Sequence, residues 1–125
     1  MVNYPIGDFL IRIKNTALAG KREVNIPATN LIREVARLLE KEGFLENVSY
    51  QKSKLMANVT YKNKMPVLLG LRLVSKPGLR IYTSCSELKK RKGSETLLIS
   101  TPKGVMTQKE AIKKTLGGEI IAEVW

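Results

Sequence analysis

The spacing of the apolar residues changes once along this chain, and that change limits the folds available to it. Up to residue 42 apolar residues recur every three or four positions, which is the period of an amphipathic helix. From residue 44 they alternate with polar residues, which is the period of a strand with one buried face. Helices followed by strands are typical of an α+β fold, in which the helices cover one face of an antiparallel sheet.

Two helices are predicted in the first third of the chain. Pro5 suits the first turn of a helix, and the apolar stripe behind it predicts a helix over residues 5–19. A short extended segment lies around residues 24–26. A second apolar stripe ends at Gly43 and predicts a helix over residues 29–42.

The middle of the chain predicts strands. The alternation of apolar and polar residues is clearest over residues 55–62, and residues 44–51 and 67–74 are also predicted to be strands. We therefore expect an N-terminal domain, residues 1–66, in which the two helices pack on a three-stranded antiparallel sheet. A turn signal at Lys76-Pro77-Gly78 indicates that the domain boundary lies between residues 62 and 78.

The remaining segment, residues 67–125, is predicted to be a mainly β domain with one short helix. Thr107 and Glu110 form a capping box, so we predict a helix over residues 108–116 that Gly117-Gly118 ends. Ser86-Glu87-Leu88 suggests a single helical turn. The predicted strands are residues 79–83, 97–100 and 119–125.

The reactive side chains are few. The chain has no His and one Cys, so neither an internal disulfide, a zinc ligand set nor imidazole catalysis is available to it. Asp8 is the only Asp, and none of the Glu residues lies in a recognisable catalytic motif. We therefore predict a protein without catalytic residues, metal or cofactor, in which Cys85 has no assigned role.

No segment predicts a membrane location or export. The longest apolar runs are far shorter than the roughly 20 residues that cross a bilayer, and the N-terminus lacks the basic and apolar blocks of a signal peptide. A single free thiol fits a reducing compartment. The expected location is the cytoplasm.

The charge balance predicts a polyanionic partner. Of the 125 residues 22 are basic and 11 acidic, a net charge of +11, and both halves are cationic. The excess of positive charge is densest between Arg72 and Lys114, a segment with 11 basic and three acidic residues. Such a surface attracts RNA or DNA chiefly through phosphate contacts. The run Lys89-Lys90-Arg91-Lys92 is also compatible with an ordinary solvated loop.

The segment Ser100–Thr107 contains three hydroxyl side chains, Lys103 and Gly104. We predict that it is a strand-to-helix loop, in which short donors and bare backbone amides meet phosphate or ribose oxygens. The spacing of a nucleotide-binding phosphate loop is absent. Composition alone favours a plain capped loop over a binding loop for this segment.

Five ordered motifs resemble a known family over essentially the whole chain: the bacterial small-subunit ribosomal protein eight family. They are Pro5-Ile6-Gly7-Asp8 with Arg12-Ile13-Lys14-Asn15, Glu42-Gly43-Phe44, Ser75-Lys76-Pro77-Gly78-Leu79-Arg80-Ile81-Tyr82, Ser100-Thr101-Pro102-Lys103-Gly104-Val105-Met106-Thr107, and Gly117-Gly118-Glu119.

The resemblance implies a two-domain α+β protein that binds the central domain of small-subunit ribosomal RNA directly and early in assembly. The C-terminal domain would supply the main contact, at the RNA minor groove and backbone, where 2′-hydroxyls are displayed. The N-terminal domain would add phosphate contacts from its first helix. The candidate residues are Ser100, Thr101, Lys103, Gly104, Glu119, Tyr82 and Lys76 in the first group, and Arg12, Lys14 and Asn15 in the second.

Some of these candidates also have an ordinary structural interpretation. Tyr82 on a strand is compatible with core packing, and the first helix is compatible with a solvated polar face. Two positions depart from the family pattern. Ala122 stands where Cys is frequent, and Pro102 stands where Ser is frequent, which removes a hydroxyl and an amide donor from the loop.

The resemblance also implies partners. These are the neighbouring small-subunit proteins five and twelve in the ribosome, with a monomeric chain outside it. Members of the family commonly repress translation of their own operon by binding a messenger site that mimics the ribosomal one.

A small DNA-binding regulator is the alternative. The two N-terminal helices could form a helix-turn-helix, but about ten residues that include Pro27 separate them, and that motif requires a much tighter turn.

Overall fold

Two helices and a three-stranded antiparallel sheet form the N-terminal part of the computed structural model. Helix α1 spans Pro5–Leu18 and helix α2 spans Asn30–Lys41, with strand β1, Glu23–Pro27, between them along the chain. The sheet continues with β2, Leu45–Gln51, and β3, Lys54–Val59, in the order β1-β3-β2. The predicted α+β class and three-stranded sheet are confirmed. Because a strand separates the helices, they do not form a helix-turn-helix.

Local sequence explains why these helices begin where they do. Pro5 occupies the first turn of α1, and the hydroxyl of Thr29 caps α2 by accepting a hydrogen bond from the Ile32 amide at 3.2 Å. Helix α1 packs against β1 and β3, and helix α2 packs against β2. Alternate residues of β3 are buried. The fully buried side chains of this core include Phe9, Leu10, Ile13, Ile32, Val35, Leu39, Leu55 and Val59.

The strand predicted over residues 55–62 is interrupted at Thr60. Tyr61–Lys62 (β4) and Met65–Pro66 (β5) pair in a separate two-stranded hairpin. Asn63 and Lys64 form its turn, and both have positive φ, 54° and 65°, as a two-residue hairpin turn requires.

The structure describes residues 4–125, and these divide into two compact units, one ending at Gly70 and the next beginning at Leu71. The strand predicted over residues 67–74 is therefore shorter than expected: only Leu71–Leu73 forms a strand, and it belongs to the second unit. No helix of the described residues is long and apolar enough to cross a membrane.

The second unit is built around its last strand. Its strands are β6, Leu71–Leu73; β7, Tyr82–Thr83; β8, Thr96–Thr101; β9, Gly104–Thr107; and β10, Gly118–Val124. Strand β10 pairs antiparallel with β6, β7 and β8, and β9 continues the sheet beyond β8. Two short helices, α3 at Cys85–Lys90 and α4 at Gln108–Lys113, belong to this unit, whose core includes Leu88, Leu97 and Ile99.

Two local predictions for this unit are wrong. The segment 100–107 is not a strand-to-helix loop but the end of β8, a tight turn and β9. Gly117-Gly118 does not end the last helix, since α4 stops at Lys113 and Thr115 adopts the left-handed conformation with φ 57°. The Thr107 cap is confirmed, because its hydroxyl accepts a hydrogen bond from the Glu110 amide at 3.4 Å.

An acidic side chain is buried near the end of β10. Glu123 is 8% exposed and forms ion pairs with Arg72 at 2.6 Å and Arg91 at 2.9 Å. The two arginines neutralise the buried carboxylate of Glu123, which lies on β10. One residue of the basic run 89–92 therefore has a structural partner.

Candidate nucleic-acid interface

Three of the predicted contact residues lie side by side where β10 begins. The strand register pairs Glu119 with Tyr82 of β7 on one side and with Ser100 of β8 on the other. Together with neighbouring residues they line a shallow depression of about 500 Å³, which we call the Glu119 groove. Its full lining is Tyr82, Thr83, Ser100, Thr101, Pro102, Gly117, Gly118 and Glu119.

Two glycines bring the backbones of the Glu119 groove close together. A Cβ on Gly117 would meet the carbonyl oxygen of Thr83 and lie 2.9 Å from the Cα of Ser84. A Cβ on Gly118 would meet the carbonyl oxygen of Ser100. These glycines are needed for strand contact and not for helix termination, so the Gly117-Gly118 pair determines how tightly β10 sits against its neighbours.

The tight turn beside the groove is held by Thr101. Its hydroxyl donates to the carbonyl oxygen of Gly104 at 2.7 Å and accepts from the amide of Lys103 at 3.2 Å. Pro102 and Gly104 occupy the second and fourth positions of the turn, and Gly104 has φ 115°. Thr101 is buried, whereas Lys103 is exposed at the tip. The hydroxyl of Thr101 thus has a structural role that the sequence did not reveal.

Glu119 and Tyr82 both remain open to solvent. The Glu119 side chain is 22% exposed, and its Oε2 lies 3.3 Å from the Nη1 of Arg80. Tyr82 is 68% exposed, so it does not pack in the core. The groove therefore combines a carboxylate acceptor, an exposed aromatic ring and, at Ser100, a short hydroxyl side chain.

A buried serine that was not among the candidates fixes one wall of this groove. The hydroxyl of Ser75 donates to the carbonyl oxygen of Ile120 at 2.6 Å and accepts from the amide of Ile81 at 3.0 Å. These bonds tie the segment that precedes Tyr82 to the residue that follows Glu119. The candidate Lys76 is next to it, exposed in a turn closed by mutual backbone hydrogen bonds with Leu79 at 2.9 Å.

We expect Ser75→Ala to lower the stability of the C-terminal unit by about 1–3 kcal/mol, because it leaves two partly buried backbone groups without their side-chain partner. Urea unfolding followed by the fluorescence of Trp125, the single Trp, measures this change. Ser94→Ala, at an exposed serine of the same unit, is the control. A loss no larger than that of the control would contradict the role given to Ser75.

The N-terminal candidates do not form one surface. Arg12 donates to the carbonyl oxygen of Asn25 at 3.0 Å, and it lines a shallow depression with Asn15 and Glu23. Lys14 lines a different, mainly apolar groove. Arg12 and Asn15 are therefore brought together and Lys14 is separated from them.

Other positions singled out from the sequence are accounted for structurally. Ala122, at the position where the family frequently has Cys, is fully buried, so its side chain has no exposed surface that could contact RNA. Cys85 is a free, partly buried thiol at the start of α3. Among residues 4–125 no cluster of three or more His, Cys, Asp or Glu side chains could hold a metal ion.

The chain is small and strongly basic, which is typical of proteins that bind nucleic acids. Its Glu119 groove is open and is lined by hydroxyl side chains, two glycines and a carboxylate. Residues 4–125 match the family described as Ribosomal protein S8. The chain is 41% identical to the small ribosomal subunit protein uS8 of Chloroflexus aurantiacus, over 99% of this chain and 98% of that one. It is 42% identical to the protein of the same name from Staphylococcus aureus strain JH9, over 97% and 96%. The chain belongs to the Ribosomal protein S8 family, a family of structural proteins and not of enzymes.

Proposed function

We propose that this chain is a structural component of the small ribosomal subunit that binds directly to the central domain of its ribosomal RNA and supports assembly. Family membership supports the ribosomal role. The observation that carries the RNA contact is the Glu119 groove, which gathers Tyr82, Ser100 and Glu119 within a protein of net charge +11.

The groove has the chemistry that suits an RNA minor groove. The hydroxyl of Ser100 and the carboxylate of Glu119 can form hydrogen bonds with 2′-hydroxyls or base amino groups. Tyr82 offers a ring for stacking on an unpaired base. The exposed amines of Lys76 and Lys103 would contact phosphates. Thr101 and Gly104 would act mainly by shaping the turn that carries Lys103.

The finer parts of the proposal follow from the family. Arg12, Lys14 and Asn15 would add secondary phosphate contacts, with Lys14 on a separate face. Small-subunit proteins five and twelve would be neighbours, and the chain would be a cytoplasmic monomer outside the ribosome. A messenger site that mimics the ribosomal one would bind in the same groove and allow repression of the operon.

The test is a filter-binding titration of the intact chain against central-domain ribosomal RNA and a DNA duplex of matched length at the same salt concentration. We expect tighter binding to the RNA, because only RNA offers the 2′-hydroxyls and irregular shape that the groove would recognise. Equal affinity for the two nucleic acids would contradict the proposal and leave only general attraction between charges.

A further inference from the structure

A second groove, in the N-terminal unit, gathers three large apolar side chains that are unusually exposed. Leu18 is 72% exposed, Leu69 is 66% and Met65 is 60%. All three line one groove of about 240 Å³, which we call the Leu18 groove. Lys14, Ala17 and Leu68 also line it.

The Leu18 groove is part of the ordered fold. Leu18 is the last residue of α1, and Met65 belongs to the β4–β5 hairpin, so two elements form its walls. Ala17 and Leu68 are buried beneath it and make the floor apolar. Isolated exposed apolar residues need no explanation, but a contiguous apolar groove indicates a binding surface.

Charge limits what can occupy this groove. Lys14 lines it, Lys62 is paired with Met65 across the hairpin, and Lys64 is adjacent to Met65 in the turn. Among the described residues, the charged side chains named at the rim of the Leu18 groove are therefore all basic. A second copy of a chain with net charge +11 would be repelled, and nucleic-acid interfaces are more polar than this aliphatic lining.

We propose that the Leu18 groove binds a short segment of a neighbouring protein in the assembled particle, with apolar side chains that fill the groove and flanking Asp or Glu residues that pair with Lys62 and Lys64. An apolar centre with a charged rim is the usual anatomy of a protein interface. This inference rests on the proposed function, because it assumes that the chain enters a ribosomal particle.

The first test uses a photoreactive amino acid in place of Leu69 in particles reconstituted from small-subunit ribosomal RNA and the full set of small-subunit proteins. We expect a cross-link to a protein segment in which apolar residues are flanked by Asp or Glu. The same substitution at Leu79, which is 61% exposed in the other unit, is the control and should not yield that product. Cross-links from position 69 only to RNA, to a second copy of this chain or to a segment without acidic residues would overturn the inference.

The second test separates this groove from RNA binding. Leu18→Ser with Leu69→Ser should leave the affinity for central-domain RNA unchanged and weaken retention of the cross-linked protein by about tenfold or more, because two leucines lose their burial. Leu79→Ser is the matched control. Wild-type retention of every protein by the double variant would contradict the groove inference alone. Failure of the wild-type chain to enter particles would overturn both it and the proposed function.

Discussion

Gly118→Ala is expected to destabilise the C-terminal unit by about 3 kcal/mol, the cost of forcing extra atoms into a closely packed site. The new Cβ would collide with the carbonyl oxygen of Ser100 and lie 2.9 Å from its carbonyl carbon and 3.2 Å from the Cα of Thr101. These are backbone atoms of β8 and cannot rotate away. Strands β8 and β10 would have to separate where Glu119 pairs with Ser100. Urea unfolding followed by Trp125 fluorescence measures the loss.

Gly78→Ala is the control for Gly118→Ala in the same unit. Gly78 has φ 82° and open space around its Cα, so its substitution costs about 1–2 kcal/mol through backbone conformation alone. Gly118 does not have a positive φ, so the effect of its substitution is steric. If Gly118→Ala were no more destabilising than Gly78→Ala, close packing of β10 against β8 would not explain the glycine.

The elements that could be predicted from the sequence are those whose determinants are local. Both long helices and their approximate ends follow from apolar periodicity and from Pro5, and the cap at Thr107 follows from its spacing to Glu110. Each of these signals acts within a few residues, so a single sequence contains it. The hairpin at residues 101–104 also has a local signal, since Pro and Gly stand at the second and fourth positions of its turn. The helix cap at Thr107 follows it so closely that the same residues also resemble a strand-to-helix loop.

What could not be predicted depends on residues far apart in the sequence. The burial of Glu123 is possible only because Arg72 and Arg91 reach it from other elements. Ser75 acquires its role from Ile120, 45 positions later. Gly117-Gly118 resembles a helix end locally, and only its contacts with β7 and β8 reveal why a side chain is excluded.

The candidate site shows the same division. Residue chemistry and family resemblance predict that Tyr82, Ser100 and Glu119 contact RNA. They are adjacent because three strands that are distant along the chain pair with one another. The exposure of Tyr82 is likewise a property of the assembled sheet edge. Conversely, the sequence predicts that the hydroxyl of Thr101 contacts RNA, whereas its hydrogen bonds to Gly104 and Lys103 give it a role in holding the turn.

Glu119→Ala is expected to weaken binding to central-domain RNA by about 1–3 kcal/mol, or roughly fivefold to 150-fold, because it removes a specific hydrogen-bond acceptor from the groove. The sign of this change is informative. Removing a negative charge from a protein of net charge +11 would strengthen general attraction to RNA, so weaker binding requires a contact made by the carboxylate itself. Glu34→Ala, which removes the same charge from the exposed face of α2, is the control and should not weaken binding.

Salt dependence separates this contact from a phosphate contact. Lys90→Ala, at an exposed lysine that ends α3, should lower the slope of log affinity against log salt concentration by at most about one. Glu119→Ala should lower affinity with the slope unchanged, because its contact displaces no counterions. Filter binding at four or more salt concentrations gives both quantities for each variant. Wild-type affinity for Glu119→Ala, together with a large loss for Lys90→Ala, would show that selection of the RNA lies outside the Glu119 groove, since charge would then account for the affinity.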